Sequence, residues 1–255
     1  MDTARRCVWL LVVLALVSSP VPALGAGGIG NCRPIPAPLP AVITEEGVWC
    51  LTSNLGTAML RGIAVWIKAD NVVLDLNGFI LEGLADRETT TAMGVFAGGQ
   101  QNVTIRNGTI RGFYYGTSLV GANITVEGIR ADRNTFTGIG VTGAGTLIRD
   151  NKVIATGGTG ISIPGVAPAV GIQVSGPAPR VLNNDVTGIP NEASAKATGI
   201  FLIGLGGVVV NNRIVFMDRG IEFGGFVASD GKYRDNVTFD VVTPYIGGRD
   251  AGNNH

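Results

Sequence analysis

Glycoside hydrolysis needs two carboxylates held about 5–9 Å apart. The side chains able to supply them here are Asp75, Glu82, Glu127, Asp132, Asp150, Asp185, Asp218 and Glu222. β-Elimination from an acidic polysaccharide instead needs a base at the acidic ring carbon and a cation that neutralises the uronate carboxylate. The candidate catalytic residues for that chemistry are Arg111, Arg130, Asp132, Arg133, Asp218 and Arg219, with Asp150 and Lys152 close in the chain. They fall in the segments Arg111-Gly-Phe-Tyr-Tyr115, Arg130-Ala-Asp-Arg-Asn134 and Met217-Asp-Arg219. Tyr114 and Tyr115 are candidate carbohydrate-binding residues, because an aromatic ring can stack on a sugar; the same rings can equally serve as a loop cover. The only histidine is His255, which leaves no His-based acid–base pair and no histidine-rich metal set in the body of the chain. No set of metal ligands stands out. A structural use also exists for the charges: Arg106, Glu127, Arg149, Lys152, Asp185 and Arg213 recur at repeat spacing, where opposite signs can pair between neighbouring strands.

These residues have to be positioned by a repeat. Gly138-Ile139-Gly140-Val141 is followed by Asn151, Gly171-Ile172-Gln173-Val174 by Asn184, and Gly199-Ile200-Phe201-Leu202 by Asn212, each at one spacing. Weaker copies begin at Gly62-Ile63-Ala64-Val65, at Gly94, at Gly116 and at Gly220-Ile221-Glu222-Phe223. Apolar residues alternate in short bursts, which is strand periodicity. The second column of the repeat is Gly78, Gly108, Gly128, Asn151, Asn184, Asn212 and Asn236, the residue types that enter the left-handed region most cheaply. This structural ladder predicts a bend in each coil, and its asparagines can bond to each other or to backbone. In Gly-Ile-x-Val the Ile and Val point inward. The outward x residues, Ala64, Gly140, Gln173, Phe201 and Glu222, form a nearly uncharged face. Coils of about 20–33 residues bury a core only by stacking. The expected fold is all-β: a right-handed parallel β-helix solenoid of about seven to eight coils, some 35 Å long at the usual strand spacing.

Composition and ends agree with export. Glycine makes up 39 of the 255 residues and charged residues 15%. The 19 basic and 19 acidic side chains cancel, which is not a nucleic-acid footprint. Arg5 and Arg6, the apolar run Val8 to Val17 and the small residues Ala23 to Ala26 read as a signal peptide over 1–26. After its removal no stable membrane span is expected, and the protein is secreted or periplasmic. Cys32 and Cys50 then remain, and one pair in an exported chain predicts one disulfide. The expected domains are a Pro/Gly-rich segment over 27–42, the β-helix over 43–248 and a tail over 249–255.

Residues 43–246 resemble the right-handed parallel β-helix repeat proteins, the broad pectate-lyase-like superfamily, in its exported bacterial form. The resemblance is carried by Val48-Trp49-Cys50-Leu51-Thr52-Ser53, Asp75-Leu76-Asn77-Gly78-Phe79 and Thr104-Ile105-Arg106-Asn107-Gly108-Thr109-Ile110. It implies a polysaccharide or cell-surface glycan as partner. If the protein is a lyase, it further implies a Lys or Arg base and a Ca2+ cofactor held by clustered carboxylates. The Asn-Thr-Asp, Gly-His-Gly and Arg-Ile-Lys motifs of polygalacturonase-like enzymes are absent, as are the Asp-His and Arg-Pro-x-x-Arg signatures of pectate lyases. Two readings follow: an exported polysaccharide-active β-helix protein, a lyase of acidic glycans; or a non-catalytic β-helix scaffold or carbohydrate-binding protein. The fold hosts both.

Overall fold

The structure, a computed structural model, describes residues 32–159, 169–188, 197–204, 206–224 and 230–255. The expected signal peptide over 1–26 lies outside them. So do residues 160–168 and 189–196. The described residues contain no helix, and every strand pairing is parallel. They form a parallel β-solenoid of about eight turns.

Each turn contributes to three faces. On the first face one inward column runs Val65, Val95, Thr117, Ile139, Ile172, Ile200, Ile221 and Tyr245. On the second it runs Leu74, Ile105, Val126, Ile148, Val181, Val209 and Tyr233. On the third it runs Leu81, Ile110, Ala131, Val153, Val186 and Ile214. These columns meet in one apolar core of mostly aliphatic side chains. Strands of three to nine residues, such as Leu147–Arg149 and Met93–Gln101, cannot bury a face alone; the turn above supplies the cover.

The glycine of Gly-Ile-x-Val has a steric cause. A Cβ at Gly138 would lie 2.7 Å from the carbonyl oxygen of Gly171 and 2.8 Å from Val153 Cγ1. A Cβ at Gly171 would lie 2.7 Å from Gly199 O, and one at Gly199 2.9 Å from Gly220 O. Each turn therefore rests its backbone on the glycine of the turn before. The register corrects the first repeat. Val65, not Ile63, pairs with Val95, so Ala64 occupies the small-residue column and is fully buried. The outward residue of that turn is Trp66, and Ala64 is not on the outer face.

The bend column also needs correction. Among its expected members Gly128 is left-handed, at φ +60°. In the later turns the left-handed residue is the one before the asparagine: Asp150, Asn183, Asn211 and Asp235, at φ 57°, 57°, 56° and 56°. Asn151, Asn184, Asn212 and Asn236 turn inward instead and are buried. Each Nδ2 donates to the Oδ1 of the asparagine one turn on, at 3.0 Å for Asn151–Asn184, 2.9 Å for Asn184–Asn212 and 3.1 Å for Asn212–Asn236. The same oxygens accept the backbone N–H of the preceding asparagine. A bend at the core edge leaves backbone donors that water cannot reach, and the ladder satisfies them. Gly108 is not left-handed; a Cβ there would meet Phe79 O at 2.7 Å. Gly78 is left-handed, at φ +78°, in a separate turn.

The solenoid extends past both expected boundaries. Arg33–Pro34 pairs with Trp49 and Cys50, and Ala41–Ile43 with Val65 to Ile67. Arg249–Asp250 pairs with Lys232 and Tyr233, and Asn254 Oδ1 accepts from Asn236 Nδ2 at 3.0 Å. The segments 27–42 and 249–255 are thus partly built into the first and last turns, because each supplies backbone partners to an otherwise open strand. The expected disulfide is present between Cys32 and Cys50, which are 18 residues apart. Closing a loop of that length constrains the unfolded chain by about 3 kcal/mol. Thermal melts with and without a thiol reductant are expected to differ by that order, with the reduced protein less stable.

Candidate functional site

The predicted charged residues come together only in part. On the third face the outward column Glu82, Arg111, Asp132 spans three successive turns. Arg111 Nε lies 2.8 Å from Glu82 Oε1. Asp132 is 8% exposed and sits between Arg130, at 3.1 Å, and Arg133, at 3.6 Å. Arg111, Arg130, Asp132 and Arg133 therefore form one cluster. Asp218 and Arg219 do not join it. The register Asp132–Ile154–Thr187–Val215 puts them three turns along the axis, about 15 Å away. Arg219 instead lies on the first face and donates to both oxygens of Glu222 at 2.9 Å.

Elimination needs a base that gives up its proton near neutral pH. The Glu82 carboxylate, bound to Arg111, raises the Arg111 pKa above an already high ordinary value. Arg130 and Arg133 are held to Asp132. Arg111 is thereby held in its charged form. Of the other ladder charges, three pairs of opposite sign in neighbouring turns meet: Asp75–Arg106 at 2.9 Å, Glu127–Arg149 at 2.6 Å and Asp185–Arg213 at 2.9 Å. Among the described residues no three His, Cys, Asp or Glu side chains converge as metal ligands.

Tyr114 does not present a sugar platform. It is 5% exposed, its ring lies flat on Phe136 at 4.8 Å, and burial pushes its phenol pKa up. Tyr115 is half-buried, edge-on to both rings, and its phenol is raised by burial as well. This corner packs aromatics against one another.

An aromatic strip that sequence reasoning missed lies on the first face. Its outward column is Trp66, Phe96, Ser118, Gly140, Gln173, Phe201 and Glu222. Trp66 and Phe96 meet edge to face at 6.1 Å, and Lys68 Nζ lies 3.9 Å from the Trp66 ring centre. A Cβ at Gly98 would be 3.1 Å from the Phe96 ring, and one at Gly224 2.6 Å from the Phe201 ring. Both rings therefore lie down over glycines. Between them Ser118, Gly140 and Gln173 make a low, uncharged floor. The aromatics offer apolar faces, and Ser118 and Gln173 offer hydrogen-bonding groups between them. The sequence signal for Trp66 was obscured by the shifted first repeat. Phe96 could have been found from the spacing Gly94-Val95-Phe96 alone.

No protein-family model matches the chain, and no curated protein matches it. Among solved structures the chain is similar to the Dettilon tailspike protein, at 13% sequence identity and a TM-score of 0.46. The similarity covers 82% of this chain and 54% of that one, so the chain spans about half the length of that protein.

Proposed function

We propose that this is an exported glycan-binding β-helix protein, related to the pectate-lyase-like superfamily, that holds an extended polysaccharide along its first face. The observation that carries this reading is the axial strip from Trp66 and Phe96 through Ser118, Gly140 and Gln173 to Phe201. Successive turns rise by about 4.8 Å, so side chains meet a linear polymer at regular intervals. Rings lying on the sheet stack on the apolar faces of sugars, and the central polar groups take the hydroxyls. The signal peptide over 1–26 and the oxidised Cys32–Cys50 pair support export to a secreted or periplasmic location.

Binding of a panel of soluble polysaccharides by affinity electrophoresis tests the reading. Phe96→Ala and Trp66→Ala are each expected to weaken retention by the bound glycan roughly tenfold, the value of one lost stacking contact of about 1.4 kcal/mol. Unchanged retention in both variants, with the fold intact, would remove the first face as the site. The finer reading, a lyase of acidic glycans with Ca2+, draws on Arg111, Arg130 and Arg133 around Asp132. Incubating uronate polymers with the mature protein, with and without calcium, decides it. The paired state of those arginines predicts no new unsaturated ends.

A further inference from the structure

We propose that the last turn of the solenoid is a built stop against a second copy of this chain: Pro244, with Tyr233 and Tyr245, refuses a further strand at the open edge of Val237–Ile246. Among the described residues this strand pairs with Arg213–Gly224, on one side alone. The tail reaches only its start, where the Thr238 N–H donates to His255 O. The strand carries one charge, Asp240, in ten residues, and Phe239 and Val242 are 66% and 79% exposed. A long apolar edge of this kind is a template for another chain. A complementary edge exists at the other end. Ala41–Ile43, in the first turn, pairs only with the strand Ile63–Ile67. Copies joined head to tail through these two edges would make a contact that does not close.

The glycine column explains why they are kept apart. The register Ile221–Tyr245 places Pro244 opposite Gly220. Pro244 thus stands where the preceding turns have Gly94, Gly116, Gly138, Gly171, Gly199 and Gly220. Each of those glycines lies against the backbone carbonyl of the next, the last against that of Pro244. A strand laid on Val237–Ile246 in the same register would bring its carbonyl onto the proline ring. The missing N–H acts in the same direction. Along a strand, successive N–H groups turn to opposite neighbours. Thr198 and Arg219, each one residue before the glycine, donate back to Ala169 O and Ala197 O. The N–H at the glycine position therefore points to the turn that follows, and proline has none to give. The core columns end in kind. Where the turn before places Ile221, Val209 and Ile214 inward, the last places Tyr245, Tyr233 and Thr238. The two tyrosine rings stack at 4.8 Å against the end of the core, and Tyr245 Oη donates to Asn236 O at 3.2 Å. Asn254 closes the amide ladder, since its Nδ2 donates to Asp250 Oδ1 at 2.6 Å and to Gly252 O at 3.2 Å, within its own turn.

Sedimentation velocity of the mature protein over a range of concentrations tests the stop. Wild type is expected to stay a monomer. Pro244→Gly returns the N–H and removes the ring, and should associate at a concentration roughly tenfold or more below that needed by wild type, the weight of one added ladder hydrogen bond and one relieved clash. Pro244→Ala returns the N–H but keeps a Cβ in the path of the incoming carbonyl, and should fall between the two. Adding Tyr245→Val to Pro244→Gly replaces a capping ring with a core residue and should strengthen association further. Hydrogen exchange locates the contact: amides in 239–246 should be slowed in the associated form. Circular dichroism checks the fold of each variant, and Pro244→Ala decides the matter if Pro244→Gly does not fold. Wild type associating as readily as the variants would overturn the proposal. So would folded Pro244 variants that remain monomeric, or association that leaves exchange in 239–246 unchanged.

Discussion

Gly171→Val is expected to abolish folding at ambient temperature, and Gly171→Ala to lower stability by about 3 kcal/mol or more. The cause is not backbone conformation, since Gly171 is not left-handed. A Cβ there would sit 2.7 Å from Gly199 O and 2.7 Å from Val186 Cγ1. One obstacle is the backbone of the adjacent turn and the other is a packed core residue. The backbone cannot retreat without breaking parallel hydrogen bonds on that face, and Val186 cannot move without overpacking the core. Valine adds two more carbons in the same gap. Urea unfolding followed by far-UV circular dichroism measures both variants. Ser118→Ala, outward on the same face, serves as the control and should be near neutral. A Gly171→Ala protein as stable as wild type would mean that turns can separate locally at little cost.

Asn184→Ala is expected to cost about 3–5 kcal/mol, more than its small volume change suggests. Asn184 Oδ1 accepts the Asn151 backbone N–H at 3.1 Å and Asn151 Nδ2 at 3.0 Å. Its own Nδ2 donates to Ile148 O at 3.2 Å and to Asn212 Oδ1 at 2.9 Å. Alanine orphans a buried backbone donor and a buried carbonyl at once. Asn184→Asp separates the two halves of that loss. A carboxylate still accepts from Asn151 but cannot donate to Ile148 O or Asn212 Oδ1. Burial and those oxygens hold its folded pKa above the unfolded value of about 3.9. Raised in the folded state, this group stabilises below the unfolded pKa, and the stabilisation is lost as pH rises through the folded one. Asn184→Asp should therefore melt higher in acid than at neutral pH, relative to wild type at the same pH. A pH-independent difference would show that the donor half of Asn184 is not needed.

The solenoid was legible because its constraint repeats. Gly-Ile-x-Val and the later asparagine return together, and no sandwich requires equivalent residues in every turn. The pairing of charges was legible for the same reason: Glu127–Arg149 and Asp185–Arg213 alternate in sign at turn spacing. The meaning of the columns was less visible, because it lies between turns. Nothing in Gly138 says that its neighbour is the carbonyl of Gly171. Nothing in Asn-Asn pairs such as Asn183-Asn184 says which member bends and which turns inward. The site was least legible. Trp66 stands in a repeat whose glycine is displaced from the register, so the reading pointed to Ala64. Tyr114 looked like a platform because adjacent tyrosines look exposed in sequence. Its burial depends on Phe136, which the next turn supplies.

The amide ladder also gives the fold a direction. Asn151, Asn184, Asn212 and Asn236 each give two N–H groups to the next turn; Asn184, Asn212 and Asn236 receive two from the turn before, and Asn151 receives one, from the Ile129 backbone. A turn in this half is complete only when its successor is in place, whereas the turn at Ile129 fills the same register position with an apolar side chain. Unravelling the chain from its last turn therefore frees two amide donors at each step, while peeling from the first turn frees an amide oxygen. The turns are alike in their strands, yet the amide zipper that joins the later ones runs one way.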